Sequence, residues 1–296
     1  MAILYLLCAS LLSVWCVARF IVPVEPLVEY TPPPPPAKVE LLFVGDVMAH
    51  SPQVAVAKRD NGYDFTSCFK YVKPIFDSVD CVVANLETTL AETPPYSGYP
   101  CFRAPAALAT ALADAGVDIA VTANNHSLDN RREGVESTLD ILRKSGISAV
   151  GTTEDNVLRF SIEGVNFAIM AYTYGTNGIP VPEGVSVHKI DTVAMSRDLA
   201  RAADADCRIA FLHWGTEYSR RPNRQQRELA DFLHRSGCQV VIGSHPHTVQ
   251  RAECAGNSIT VYSLGNFISN QRMRYSDGGV MAKVTVEKDS VGCQFD

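Results

Sequence analysis

No Cys-x-x-Cys pair occurs anywhere in the chain, although it holds nine cysteines. That excludes the cysteine-clamped zinc module such pairs build. Cys81, Cys207 and Cys238 open strand-like runs and read as buried thiols. Cys68, Cys101 and Cys254 lie in irregular sequence, where a disulfide outside the cytosol remains open and its pairing undetermined. A dense lysine and arginine block is also missing: charged residues make up 20% of the chain and the net charge is −6. A nucleic-acid surface needs many phosphate-neutralising cations, so no nucleic-acid partner is expected. There is no internal repeat and no linker-like stretch after Pro36, so one folded domain is the simplest count.

The N-terminus lacks charge altogether from Ala2 to Ala18, and Arg19 follows. Residues 1–24 are near the length that spans a bilayer as a helix. A secretory signal ordinarily carries a basic start and a small-residue cleavage site. No lysine or arginine precedes this run. Leu7 and Trp15 stand before Cys8 and Cys16, which makes a poor lipobox. The segment reads as an uncleaved signal anchor, with a cleaved signal peptide as the alternative. Residues 25–37 contain Pro32 through Pro36, a stiff polyproline II spacer of about 3 Å per residue. Residues 38–296 then form the folded domain. Anchor plus spacer places the protein at the cell membrane, with its domain outside the cytoplasm, although Arg19 at the far end opposes export under the positive-inside rule.

What is present is an alternation of strands and helices. Apolar runs at 39–44, 81–84, 119–122, 149–150, 167–172, 208–212, 239–242 and 259–264 suit strands buried on both faces. Between them, 105–115, 131–145 and 223–236 carry helical spacing, with Gly116, Gly146 and Gly237 as stops. Residues 161–165 read as strand, turn, strand. The class is α/β. Hydrophobic residues at 47% supply an ordinary globular core.

Polar residues able to bind metal follow five of these strands: Asp46, Glu87, Asn125 with His126, His213, and the pair His245 and His247. Strand carboxyl ends open on one edge of an α/β sheet, where sites assemble. Carboxylates and imidazoles together suit a borderline divalent metal, here Mn, Zn or Fe. Six or seven ligands are too many for one four-coordinate ion and suit two ions sharing a carboxylate. In extended chain, residues two apart share a side, and Pro246 biases its predecessor to that conformation. Both rings of His-Pro-His are therefore expected to face one site from an extended segment.

The ordered segments LLFVGDVMAH, VVANLET, TANNHSLDN, FLHWGTEY, VVIGSHPHTVQ and YSLGNFI resemble the CapA (PgsA) family of poly-γ-glutamate capsule synthesis proteins, related to calcineurin-like metallophosphoesterases. The resemblance runs from about Val39 to Val286. It implies a layered sandwich of mixed β-sheets flanked by helices. It also implies metal ligation by Asp46, Glu87, Asn125, His213, His245 and His247. Asp46 and His247 would hold the first ion, Asn125, His213 and His245 the second, and Glu87 would bridge. His126, with Asn125, would be catalytic and steady the transition state or protonate the leaving group. Met48 stands where that pattern has a histidine ligand, with His50 as a possible replacement. Glu87 replaces the usual bridging aspartate and is one methylene longer, so a one-metal site is the alternative.

Arg103, in the long segment 88–105 after Glu87, and Asn266 are candidate substrate-binding residues. Asp129 is placed to orient His126. His188 and His234 read as structural. Three functions follow. The first is a metal-dependent hydrolase or transferase acting on a phosphoester or γ-glutamyl polymer. The second is a non-catalytic envelope protein holding an anionic polymer within a capsule-synthesis membrane complex. The third is a cytosolic phosphoesterase, which the proline run argues against.

Overall fold

A computed structural model describes residues 36–288 and 293–295. The compact unit containing them begins at Pro36. The apolar segment 1–24 and most of the spacer lie outside the described residues. Among the described residues no helix is long and apolar enough to cross a membrane.

Two mixed sheets organise the fold. The first runs in the order Cys293–Phe295, Ala282–Lys288, Ala37–Val47, Cys81–Leu86, Ile119–Val121, Ser148–Val150. Asn266–Ile268 also pairs with Ala37–Val47, in parallel. The second runs Ala252–Ala255, Ser258–Val261, Val240–Ser244, Cys207–His213, Val165–Thr173, Leu158–Ile162. Central neighbours are parallel, and antiparallel pairs lie toward the edges. Strand alternation then assigns each side chain a layer. Val39, Leu41, Phe43, Val83 and Val121 meet Phe167, Ile169, Ile209, Phe211 and Ile242 between the sheets. Leu42, Val44, Val82 and Ala84 face outward onto Leu108, Leu112, Ile141 and Leu142. On the far side Met170, Tyr172, Ala210 and Val241 meet Met195, Leu199, Ala230 and Leu233. The result is a helix–sheet–sheet–helix sandwich. Each buried Leu, Ile, Val or Phe contributes about 1.5–3 kcal/mol.

The expected helices form as Ala107–Ala115, Arg131–Lys144 and Arg224–Arg235. Gly116 caps the first at φ 106°. Asn223 and Gln226 form a capping box on the third. The hairpin at 161–165 forms with Glu163 and Gly164 both at positive φ. Thr192–Arg201 is a further helix that the sequence reading did not include. Its start signal is Asp191, whose carboxylate accepts from the Val193 and Ala194 N–H groups. The run 259–264 stops as a strand at Val261. Beyond it, Gly265 at φ 73° turns the chain out of the second sheet and into the first. The six described cysteines up to Cys254 are free thiols, so no disulfide joins Cys68, Cys101 and Cys254.

Gly45 lies where that crossover meets the first strand. A Cβ there would stand 1.9 Å from the Gly265 carbonyl oxygen, a backbone atom that cannot turn aside. Gly45→Ala is expected to lose about 1–3 kcal/mol or more, the range for overpacking, read as a lower urea midpoint. A midpoint equal to the parent's would show that the crossover yields freely.

Candidate metal centre

The strand ends converge at one edge of the sandwich. Asp46 sits near the end of Ala37–Val47, paired in register with Asn85 on one side and Asn266 on the other. Glu87 directly follows Cys81–Leu86, and its N–H donates to the Val47 carbonyl at 2.9 Å. His213 closes Cys207–His213, in register with Ser244. Asp46, Glu87 and His213 are fully buried, and Asn125, His126, His245 and His247 nearly so.

Three sets of potential ligand atoms each fall within 4.8 Å: Asp46, Glu87 and His247; Glu87, His213 and His245; and Glu217, His245 and His247. Glu87 is common to the first two. This arrangement suits two cations joined by one carboxylate. The surrounding hydrogen bonds aim the ligands. Asn85 Nδ2 donates to Asp46 Oδ1 at 2.7 Å. His247 Nδ1 lies 2.9 Å from Asp46 Oδ2 and 3.0 Å from Asn266 Oδ1, so its proton belongs on Nδ1 and Nε2 faces Glu87. Ser244 Oγ, 2.9 Å from His213 Nδ1, holds that ring with Nε2 toward Asn125 Oδ1 at 2.7 Å and Glu87 Oε1 at 3.5 Å. Asn125 Nδ2 donates to Asn177 Oδ1 at 3.2 Å.

The fit to cations is tested by what has no partner. Both Glu87 carboxylate oxygens and His245 Nδ1 are buried without a hydrogen bond. A buried carboxylate left so costs several kcal/mol unless a cation meets it. Burial and the neighbouring Asp46 push the Glu87 carboxyl well above the usual range. Burial and the other imidazoles hold His213 far below its ordinary value and bring His245 down to about 4, keeping both neutral as ligands must be. Burial also opposes charge on His247, but the hydrogen bond and charge of Asp46 outweigh it and raise that ring.

The His-Pro-His segment is not extended. The strand ends at Ser244, and His245 and His247 have φ of 95° and 55°. Left-handed backbone at non-glycine residues is strained and collects at functional sites. The extended spacing therefore pointed to the right neighbourhood by the wrong route. The two rings stand 6.0 Å apart because the chain bends twice around Pro246.

A second cluster adjoins the first. His126 Nδ1 lies 2.8 Å from Asp129 Oδ2, and the same oxygen accepts the Phe102 N–H at 2.6 Å. The Phe102 ring stands edge-on to both His126 and His50. Segment 88–105 thus lies beside the site as expected. Arg103, however, turns to its own loop, donating to the Thr93 and Pro95 carbonyls. Asn266 is engaged with His247, Gln271 and the Ser276 carbonyl. His50 lies outside all three ligand sets. His188 and His234 are bound to Thr153, and to Cys238 and Thr260, away from these sets.

A family model described as bacterial capsule synthesis protein PGA_cap matches residues 40–271, a span holding all these ligands. The chain belongs to that family. It is 26% identical over 262 residues to the PGA biosynthesis protein CapA of Bacillus subtilis (strain 168), covering 84% of this chain and 68% of that protein. It is also 26% identical over 251 residues to the capsule biosynthesis protein CapA of Bacillus anthracis, covering 79% of this chain and 60% of that one. Among solved structures it is similar to a hypothetical protein from Thermus thermophilus, with TM-score 0.51, 15% identity and coverage of 87% and 98%. It is similar, too, to NAD nucleotidase of Haemophilus influenzae, with TM-score 0.52, 12% identity and coverage of 89% and 50%. These two likenesses concern the fold alone, the sandwich of two mixed sheets between helices.

Four site residues went unread in the sequence. Asn85 and Ser244 carried a signal, being polar residues inside otherwise apolar strands. Tyr174, whose ring lies 4.5 Å from His245, and Glu217 gave none.

The shared carboxylate makes an ordered prediction. His247→Ala should empty mainly one ion and His245→Ala mainly the other, whereas Glu87→Ala should weaken both. Metal content and binding isotherms decide, and parent-like values in all three variants would return these residues to loop structure.

Proposed function

We propose that this member of the family is a metal-dependent hydrolase of capsule or cell-envelope metabolism, acting on a phosphoester or a γ-glutamyl polymer. The observation that carries the proposal is the His126–Asp129 pair beside the ligand sets. A site that only binds a polymer has no need of an oriented imidazole. Bound Mn, Zn or Fe would polarise the scissile group and lower the pKa of attacking water. Asp129 holds the His126 proton on Nδ1 in the neutral ring, and once charged the ring offers its second proton from Nε2 to the leaving group. Phe102, buried against His126, excludes water from one side of that ring.

An anionic substrate is supported by the rim. Arg220 and Arg274 both stack on Tyr275, at 4.0 Å and 4.7 Å from its ring centre. Among the described residues neither is paired with a carboxylate. The segments carrying them flank the site, since the Tyr218 ring lies 6.0 Å from His247 and Asn266 donates to Ser276. We place the domain outside the cytoplasm, tethered to the membrane by its N-terminal segment and open to a capsule-synthesis complex there. Met48, buried where the family resemblance implies a histidine, favours a second reading in which the site binds anionic polymer without turnover.

Purified protein with Mn²⁺ should turn over a generic phosphodiester steadily. His126→Gln should lower that rate by about 10²–10⁴-fold with metal content intact. Binding of polymer without turnover by the parent would select the non-catalytic reading. For an anionic polymer substrate, the double change Arg220→Ala and Arg274→Ala should raise KM and leave kcat near the parent value. An unchanged KM would remove the rim from recognition.

A further inference from the structure

The ligand sets leave one position short. Asp46, Glu87 and His247 supply three protein donors. Met48, where the family resemblance implies a histidine ligand, is buried with its Sδ 3.8 Å from Ser269 Oγ. His50 does not replace it. Its Nδ1 accepts the Asn270 N–H at 3.2 Å, so the neutral ring carries its proton on Nε2 and has no second lone pair for an ion.

Glu217 has what those two lack. It is exposed, yet its carboxylate falls within 4.8 Å of ring nitrogens of both His245 and His247. Its loop is not a loose surface turn. The Tyr218 N–H donates to the Pro246 carbonyl at 2.7 Å, and Tyr218 is held at φ 63°. The next carbonyl, Ser219, accepts from Thr248 Oγ1 at 2.9 Å and Gln250 Nε2 at 2.8 Å. These bonds fix the Glu217 loop to the segment that bears both histidines. Glu87 lies fully buried at the base of the cluster and Glu217 lies on its solvent side. His245, a member of the same set, is nearly buried and its Nδ1 has no hydrogen-bond partner.

We propose that Glu217 is a metal ligand that closes the centre from the solvent side and completes the shell of the ion held by Asp46, Glu87 and His247. This rests on the metal reading of the site. Three carboxylates and one imidazole make that position oxygen-rich, whereas the Glu87, His213, His245 and Asn125 position is nitrogen-rich. The first is suited to Mn²⁺ and the second to a softer ion.

The test is Mn²⁺ titration and metal analysis of the whole chain and its Glu217→Gln variant. The substitution keeps shape and removes the anionic donor at an exposed position, and equal unfolding midpoints of the metal-free proteins verify the fold. One Mn²⁺ site is expected to weaken by about tenfold or more, with the other retained. Adding Met48→His to Glu217→Gln is expected to recover the lost affinity. Parent-like Mn²⁺ binding by Glu217→Gln overturns the proposal while the metal centre stands. Failure of Met48→His to recover affinity overturns the assignment to the first ion. A parent chain that binds no metal overturns the centre and this ligand together.

Discussion

A carboxylate with no exposed surface and no hydrogen-bond partner governs this structure. Glu87 is placed by the end of an entirely buried strand, with Asp46 close enough to raise its proton affinity further. Desolvation and like-charge repulsion both oppose ionisation there. The nearest imidazoles, His213 and His247, stand 3.5 Å and 3.9 Å away without hydrogen-bonding to it, and His213 is itself held neutral. Cations between these groups would remove the conflict. The wider fold can be understood as the scaffold that holds this unfavourable group in place.

That scaffold works because its strands are buried on both faces. Alternate side chains fill the space between the sheets and the space beneath the helices, so a strand cannot slip by one residue without exchanging two cores. Register is therefore rigid where the ligands emerge. The crossover at Gly265 adds a second constraint, since it brings Asn266 from the second sheet alongside Asp46 of the first. His247 is then gripped by both. Positive φ at His245 and His247 is sustained by these bonds and by the Tyr218 contact with Pro246. Strain is thus confined to the loop whose side chains the centre requires.

Asp129 links the reacting group to the covering loop. One carboxylate oxygen receives both the Phe102 N–H and the His126 ring. Displacing residues 92–102 would therefore loosen the imidazole, and a shift of the imidazole would disturb the loop. Arg103 secures the loop from within through the Thr93 and Pro95 carbonyls, a structural use of a cation that the sequence offered as a substrate clamp.

Periodicity and punctuation sufficed for the layers. Doubly apolar runs such as Cys81–Leu86 can only be central strands, and Gly116 or the Asn223 capping box can only end or begin helices. The ligand residues were legible because each follows such a run, and strand ends share an edge whatever the connecting loops do. Loop conformation was not legible. Pro246 favours extended backbone locally, yet contacts with Tyr218, Asp46 and Asn266 impose the bent one, and those partners lie between 19 and 201 residues away along the chain or across a separate turn. Thr192–Arg201 was legible but unread: Asp191 caps it and Met195 and Leu199 lie buried at helical spacing. Glu217 was invisible for the same reason as the bend. An acidic residue in a turn is ordinary in sequence, and only the folding of that turn onto His-Pro-His brings its carboxylate to the centre. Sequence determined which residues stand at the strand ends, because burial dictates the strands. Tertiary structure decided which atoms face one another, because that depends on long-range hydrogen bonds no local pattern encodes.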